Sequence, residues 1–149
     1  MYWLGLDIGT GGSRALLVDD EPAHLEAMQA LVERQGFATR TATSLEGARR
    51  ALEEENFDLL ITDLQLPDGT SLDLLPLMEQ RPAMDLVLVT GHASVDTAVR
   101  AMRGGATDYL TKPIDVRRLE KVLAHVQRAA RLRGQVGALR EELRGLGRF

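Results

Sequence analysis

Acidic, hydroxyl and basic side chains recur along this 149-residue chain at points where short apolar runs stop. The set comprises Asp19, Asp20, Asp63, Thr90 and Lys112. Three carboxylates within several ångströms repel one another unless a cation lies among them. Mg²⁺ suits such a set because it favours a few carboxylates together with waters and a phosphate oxygen. The acids therefore predict a divalent cation site.

The acids can be given different roles at this site. We expect Asp20 and Asp63 to bind the ion directly, with Asp19 acting through a water. The backbone carbonyl of Gln65 would complete the protein's share of the ligands. In open parallel sheets, ligands bind beyond the carboxyl ends of the strands, where these acids are placed. An aspartate that closes a loop or caps a helix is the alternative interpretation of Asp63.

Phosphoryl transfer is the reaction that this set can support. A carboxylate such as Asp63 can attack phosphorus and form an aspartyl phosphate. The transfer needs mainly positioning and neutralisation of the phosphoryl oxygens. Lys112 and the cation would supply positive charge, and the Thr90 hydroxyl can donate to a phosphoryl oxygen. Taken singly, a hydrogen-bonded buried threonine and a solvated loop lysine are the simpler interpretations of those two side chains.

The elements that position these residues follow from hydrophobic periodicity. Strands are expected at residues 15–18, 37–42, 59–63, 86–90 and 107–110. Helices are expected at residues 22–35, 43–54, 71–79 and 94–104, and from 115 onward. The alternation predicts an α/β fold with a doubly wound, five-stranded parallel sheet and an extended C-terminal helix. The expected strand order, 2-1-3-4-5, is that of the flavodoxin-like class of such sheets. The loops after strands one, three, four and five would then share one edge.

Several details of the helices can be predicted from single residues. Thr43 is expected to cap the second helix, with Glu46 closing a capping box. Ser94 and Asp115 are expected to cap the fourth and fifth helices. Pro76 should bend or shorten the third helix. The apolar residues of the fourth helix are expected to face the core: Val95, Ala98, Val99 and Met102.

Four segments resemble the signatures of the receiver domain of two-component response regulators. They are residues 17–21 (LVDDE), 61–67 (ITDLQLP), 89–93 (VTGHA) and 109–113 (YLTKP). They occur in order and at the family's spacing, and the resemblance covers about residues 15–126. We therefore divide the chain into an N-terminal extension (1–14), a receiver domain (15–126) and a linker or coiled-coil-like helix (127–149).

The resemblance implies a phosphoacceptor signalling switch that regulates an output domain for transcription. Its family roles fall on the phosphoacceptor Asp63, the magnesium-binding acids Asp19 and Asp20, and the phosphate-sensing residues Thr90, Lys112 and Tyr109. Tyr109 would swing inward as Thr90 moves. The partner would be a sensor histidine kinase. The domain would not be an enzyme, although it would assist its own phosphorylation and dephosphorylation.

The N-terminal segment has a different character. Residues 1–19 resemble the first phosphate-binding hairpin of sugar kinases of the actin-like ATPase superfamily, so a nucleotide-binding fragment using Asp7 and residues 9–12 is an alternative function. Those kinases need two large domains, for which this chain is too short. The first strand of the predicted sheet lies between two others, so residues 1–13 should be displaced or disordered, or should disturb the fold.

The C-terminal helix carries a nearly heptad apolar pattern. The candidate dimer seam comprises Val126, Leu132, Val136, Leu139 and Leu143. A frayed helix with a solvated basic face is the simpler interpretation, since residues 117–148 hold nine basic and three acidic side chains.

The segment is similar to the linker of NtrC-type activators, whose ATPase and DNA-binding output domains we expect to be missing here. Homodimers through this helix or the face of the fourth helix and fifth strand are expected; a constitutive dimerisation adaptor is the alternative.

Composition narrows the remaining possibilities. The chain has no cysteine, so disulfides and thiolate metal sites are not available. No apolar run approaches the ~20 residues of a membrane span, and the N-terminus lacks a signal-peptide pattern. No recognition motif supports direct nucleic-acid binding. These features predict a soluble, cytoplasmic protein.

Overall fold

The computed structural model describes residues 12–146, with side chains described for residues 12–133. Five strands form one sheet: β1 (Arg14–Val18), β2 (Ala38–Ala42), β3 (Leu59–Asp63), β4 (Asp85–Thr90) and β5 (Asp108–Thr111). Their spatial order is β2-β1-β3-β4-β5, and every neighbouring pair is parallel. The predicted fold class and strand order are confirmed. A short antiparallel ribbon also pairs Gln65–Leu66 with Gly69–Thr70.

Helices cover both faces of the sheet because successive strand residues point to opposite sides. The helices are α1 (Pro22–Arg34), α2 (Leu45–Glu54), α3 (Ser71–Gln80), α4 (Val95–Arg103) and α5 (Val116–Leu146). Leu16 and Val18 of β1 join the core under α2 and α3, whereas Ala15 and Leu17 join the core under α1 and α5. Among the described residues, no helix combines the length and the apolar character needed to cross a membrane.

β1 occupies an interior position, which bears on the predicted N-terminal hairpin. It pairs in parallel with β2 on one side and with β3 on the other. Both edges of residues 15–18 are therefore used, and these residues cannot also be the second strand of an antiparallel hairpin. Asp7 and residues 9–11 lie outside the described residues.

The helix starts were predicted with one error. The side chains of Ser94 and Asp115 accept backbone N–H groups of the first turns of α4 and α5, as expected. The cap of α2, however, is Ser44, whose Oγ accepts the Gly47 N–H at 3.0 Å. The prediction of Thr43 and its capping box was wrong because Ser44 is the residue with the extended backbone that an N-cap requires.

α3 is a 3₁₀ helix over its whole length. Pro76 lies inside it and has no N–H to donate, which removes a hydrogen bond that an α-helix would need. The helix is therefore not shortened, as one of the expectations had it, but adopts the tighter 3₁₀ form.

α4 does not turn its larger apolar residues to the core. Val95, Val99 and Met102 are 82%, 40% and 50% exposed, whereas Ala101 is fully buried. The prediction for these three residues was wrong, and Ala98 is half-buried. The helix is instead turned so that the small Ala101 and the half-buried Thr97 face the domain, and the Thr97 hydroxyl lies 2.6 Å from the hydroxyl of Tyr109.

α5 begins as a core helix and then extends past the domain. Leu119, Leu123 and Val126 are fully buried in the core under α1 and α5. Val126 is therefore unavailable to a dimer seam, which corrects that part of the prediction. Leu132 is 59% exposed, as a seam residue should be in a single copy. The side chains of Val136, Leu139 and Leu143 lie outside those described.

Candidate functional site

Three carboxylates meet at the carboxyl edge of the sheet. β1 and β3 are neighbours with Val18 opposite Thr62, so the residues that follow, Asp19 and Asp63, lie side by side. One ligand oxygen from each of these two and from Asp20 lies within 4.8 Å of the others. Asp19 and Asp63 are buried and Asp20 is exposed. The structure thus brings together all three acids that the sequence singled out.

The backbone orients the two buried carboxylates. Asp19 Oδ1 accepts the Glu21 N–H at 2.9 Å, and Asp63 Oδ1 accepts the Gln65 N–H at 3.3 Å. In each case the other oxygen, Oδ2, is directed to Lys112. Because the turns fix one oxygen of each acid, the second oxygens are held in place for a cation or a phosphoryl group. Gln65 is exposed, and its role as a carbonyl ligand stays a prediction.

Lys112 joins the acids from the loop after β5. Its Nζ lies 3.0 Å from Asp19 Oδ2 and 3.1 Å from Asp63 Oδ2. Burial lowers the pKa of Lys112, but hydrogen bonds to the two carboxylates outweigh it and raise the pKa above its ordinary value. The side chain is therefore a fixed positive charge at neutral pH.

Thr90 lies next to this lysine at the end of β4. It is completely buried, and its carbonyl accepts the Lys112 N–H at 2.8 Å. Its Oγ1 accepts the His92 N–H at 3.0 Å. The hydroxyl hydrogen remains available to donate, since a hydroxyl can accept and donate at once. The predicted site residues at the four strand ends therefore share one edge of the sheet.

Tyr109 lies on β5, opposite Leu88 of β4. It is half-buried, and its hydroxyl lies 2.6 Å from Thr97 Oγ1 on α4. Tyr109 therefore links β5 to α4 rather than to the carboxylates. A movement of Tyr109 with Thr90 would require a second conformation, so it stays a prediction.

His24 is a member of the site that the sequence analysis missed. Its Nδ1 lies 3.2 Å from Lys112 Nζ, 3.7 Å from Asp19 Oδ2 and 3.5 Å from Glu21 Oε2. The three histidines are far apart in the chain, so no ligand spacing pointed to it. The available signal was its place in the first turn of α1, which starts at Pro22 directly after the β1 acids.

Asp68 anchors the loop that follows the central strand. Its carboxylate accepts the Leu45 and Glu46 N–H groups at 2.8 and 3.0 Å, at the start of α2. These backbone hydrogen bonds, Leu45 first, lower the pKa of Asp68. An anion at a helix N-terminus is favourable because the first N–H groups have no partner within the helix.

The donor set fits Mg²⁺. Asp19, Asp20 and Asp63 offer carboxylate oxygens within 4.8 Å of one another, and hard cations prefer oxygen ligands. Lys112 neutralises one of the three negative charges, which leaves the site net negative and able to attract a cation.

Comparison with known proteins identifies related chains. Residues 15–124 match the response regulator receiver domain family. The response regulator protein PilR of Pseudomonas aeruginosa is 43% identical over 112 residues, which cover 74% of this chain and 25% of PilR. The alginate biosynthesis transcriptional regulatory protein AlgB of the same organism is 41% identical over 135 residues, which cover 90% of this chain and 30% of AlgB. This chain thus spans a quarter to a third of the length of these curated relatives.

A solved structure agrees with the sequence relatives. The beryllofluoride-activated NtrC4 receiver domain dimer, determined in solution, has a TM-score of 0.72 and 33% identity. The similarity covers 78% of this chain and 98% of the NtrC4 receiver. Because the family match runs from β1 into α5 and the folds agree, this chain belongs to the response regulator receiver domain family.

Proposed function

We propose that this domain is the phosphoacceptor switch of a two-component phosphorelay, in which Asp63 takes a phosphoryl group from a sensor histidine kinase. The observation that carries the proposal is the joint contact of Lys112 with Asp19 and Asp63 at 3.0 and 3.1 Å. A carboxylate held at a strand end, beside a cation site and a fixed ammonium, has the neighbours that phosphoryl transfer needs.

The transfer uses the Asp63 carboxylate as nucleophile. One carboxylate oxygen attacks phosphorus while the bond from phosphorus to the donor breaks and the donor leaves with the electron pair. The new bond removes the negative charge of the Asp63 carboxylate. Lys112 then pairs with a phosphoryl oxygen instead of with that carboxylate. The Thr90 hydroxyl, on the neighbouring strand end, donates to another phosphoryl oxygen.

Asp19, Asp20 and Asp63, with the Gln65 carbonyl, would hold Mg²⁺. When bound, the ion supplies positive charge to the phosphoryl oxygens. Support comes from the donor chemistry, because the three acids offer oxygens within 4.8 Å of one another.

The domain modifies its own Asp63 and is not a turnover enzyme in this proposal. Its site residues assist both formation and hydrolysis of the aspartyl phosphate. The phosphoryl group shifts an equilibrium between two conformations, in which Thr90 and Tyr109 move and the surface of α4 and β5 changes.

The readout of the switch would be transcription through an output domain. AlgB is named as a transcriptional regulatory protein, and this chain covers 30% of it. We propose residues 15–126 as the switch and residues 127–149 as the linker to ATPase and DNA-binding domains. Dimerisation through α5 or the α4 and β5 face would transmit the signal, and the activated NtrC4 receiver is a dimer.

The test is the mass of the intact protein after incubation with acetyl phosphate, with and without Mg²⁺. One added phosphoryl group is expected in the wild type with Mg²⁺, and none in Asp63→Asn. Asp73→Asn is a matched control, because Asp73 is an exposed aspartate in α3. An adduct that persists in Asp63→Asn, or that forms equally without Mg²⁺, would contradict the proposal.

A further inference from the structure

Gln127 is a buried polar side chain of α5 that the phosphoacceptor chemistry does not use. It directly follows Val126, the last apolar core residue of α5 among the side chains described, and it is only 9% exposed. Glutamine is mostly found at the surface, and a buried amide needs hydrogen-bond partners. The neighbouring segments should therefore supply a donor and an acceptor for Gln127.

Two segments at the amino edge of the sheet supply these partners. The Ser13 hydroxyl, directly before β1, donates to Gln127 Oε1 at 2.6 Å. Gln127 Nε2 donates to the Gln35 carbonyl, directly after α1, at 2.6 Å. Ser13 is itself 4% exposed. One side chain of α5 thus joins the start of β1 and the end of α1, at the edge opposite the carboxylate site.

The turn after α1 leaves room for this amide only because it contains glycine. Gly36 has a φ of +95°, in the left-handed region that favours glycine. A Cβ at this position would lie 2.8 Å from Gln127 Nε2, which is shorter than a van der Waals contact. The backbone of the turn and the Gln127 side chain are therefore fitted to each other.

The charged contacts between α5 and the same edge are looser. Glu120 lies 3.6 Å from Arg34, and Arg133 lies 3.7 Å from Asp58. The side chains of these two pairs are between 30% and 65% exposed, and exposed ion pairs contribute little. The buried amide of Gln127 is therefore the polar contact that can fix α5 at this edge.

The contact also bears on the rotation of α5 about its axis. Successive helical residues are about 100° apart, so Leu132 is about 140° round the helix from Gln127. With Gln127 held against the domain, Leu132 is directed away from it and is 59% exposed. Apolar contacts alone define one arrangement less sharply than a fully hydrogen-bonded buried amide does.

We propose that Gln127 is a positioning residue that fixes the direction and rotation of α5 where the helix leaves the domain. Its hydrogen bonds to Ser13 and Gln35 hold the helix with Leu132 directed outward. The orientation of the linker is then set by the amino edge of the domain. The inference concerns the linker helix and does not depend on phosphorylation of Asp63.

The test measures the distance between two spin labels on the full chain, without a phosphoryl donor. The chain has no cysteine, so Glu53→Cys and Arg131→Cys give two specific attachment points. Both residues are exposed, on α2 and α5, which pack on opposite faces of the sheet. Double electron–electron resonance gives the distance distribution, and dilution with unlabelled protein removes distances between copies.

Replacing the amide tests its role. Gln127→Met keeps the length of the side chain and removes both hydrogen bonds. It is expected to broaden the distance distribution by roughly twofold or to add a second maximum. Arg128→Met is the matched control, because it introduces the same residue at the next, exposed position and should keep the wild-type distribution. A wild-type distribution in Gln127→Met would overturn the proposal.

A second control separates positioning from stability. Leu123→Ala removes a fully buried side chain of the same helix but no partner of the amide, so the distribution should stay as in the wild type. Equal broadening in Leu123→Ala and Gln127→Met would contradict the proposal, because the effect would then follow from lost packing.

Ser13→Ala keeps the test decisive if the glutamine variant does not fold. It removes one of the two hydrogen bonds and leaves Gln127 in place, so a smaller broadening is expected. A wild-type distribution in Ser13→Ala, with Gln127→Met unfolded, would overturn the proposal.

Discussion

Lys112 is the side chain on which the electrostatics of the site depend. An ammonium has three N–H donors, and three acceptors lie within hydrogen-bonding distance of this one. They are Asp19 Oδ2, Asp63 Oδ2 and His24 Nδ1, at 3.0, 3.1 and 3.2 Å. The lysine therefore occupies the carboxylate oxygens that a divalent cation would also use. In the proposed function, Mg²⁺ would therefore compete with Lys112 for these oxygens until a phosphoryl group is bound.

Removal of this charge should strengthen cation binding. Lys112→Met keeps the length of the side chain and removes one positive charge from the site. We expect Mg²⁺ affinity to rise roughly fivefold, because repulsion between the lysine and the ion is on the order of 1 kcal/mol even in a watery environment. Titration calorimetry measures the affinity. Lys121→Met, on the exposed side of α5, is the control, and an unchanged affinity in Lys112→Met would contradict the competition.

The helices differ in how much stability their apolar residues contribute. Leu123 of α5 is fully buried, whereas Met102 of α4 is 50% exposed. Leu123→Ala should lower the free energy of unfolding by about 2–5 kcal/mol through lost burial and a residual cavity. Met102→Ala should change it by no more than about 0.5 kcal/mol. Urea denaturation compares the two variants directly, and equal losses would mean that α4 packs by its larger apolar residues after all.

The start of α2 and the loop after β3 are joined by Asp68, and this contact should depend on pH. Backbone hydrogen bonds lower the pKa of Asp68 in the folded protein. Its contribution to stability is therefore fully present above the ordinary aspartate pKa of about 3.9 and is lost as pH falls through the lower native value. Asp68→Asn should show a smaller loss of stability on acidification than the wild type. Thermal unfolding of both proteins between neutral pH and pH 3 measures the difference, and parallel curves would contradict the assignment.

α5 runs from Val116 to Leu146. Among the residues whose side chains are described, the last apolar core residue of the helix is Val126, and the helix continues to Leu146. A helix of 31 residues is roughly 46 Å long. Leu132 is 59% exposed, so its side chain has room to contact a second copy.

The predicted seam can be tested by the state of association. Leu139→Lys places a charge in the heptad stripe and should convert any dimer formed by this helix to monomer. Ala138→Lys adds the same charge beside the stripe and should leave the dimer intact. Sedimentation equilibrium with and without acetyl phosphate measures both. A wild-type chain that stays monomeric in both conditions would show that the seam prediction is wrong for this chain.

The chemistry of the site could be predicted from local sequence because each functional side chain adjoins a short apolar run. Asp63 ends the buried β3, and in a parallel sheet every strand end of this kind reaches the same edge. The connection lengths suit right-handed crossovers, and the strand order was expected from the flavodoxin-like class of such sheets. The meeting of Asp19, Asp20, Asp63 and Lys112 was therefore predictable without coordinates.

Other features depend on contacts between distant segments, which no local pattern encodes. Periodicity showed that α4 has an apolar stripe, but the inward side carries Ala101 in the core and Thr97 bonded to the hydroxyl of Tyr109. The pairing of His24 with Lys112 and of Asp68 with α2 likewise joins segments far apart in the chain. The sequence by itself determined the residues of the site and the alternation of strands and helices, because both follow from short-range periodicity. The order of the strands was expected from the flavodoxin-like class that the chain resembles. The rotation of the helices and the surroundings of Lys112 were decided by tertiary packing, because they depend on which distant side chains satisfy one another's hydrogen bonds.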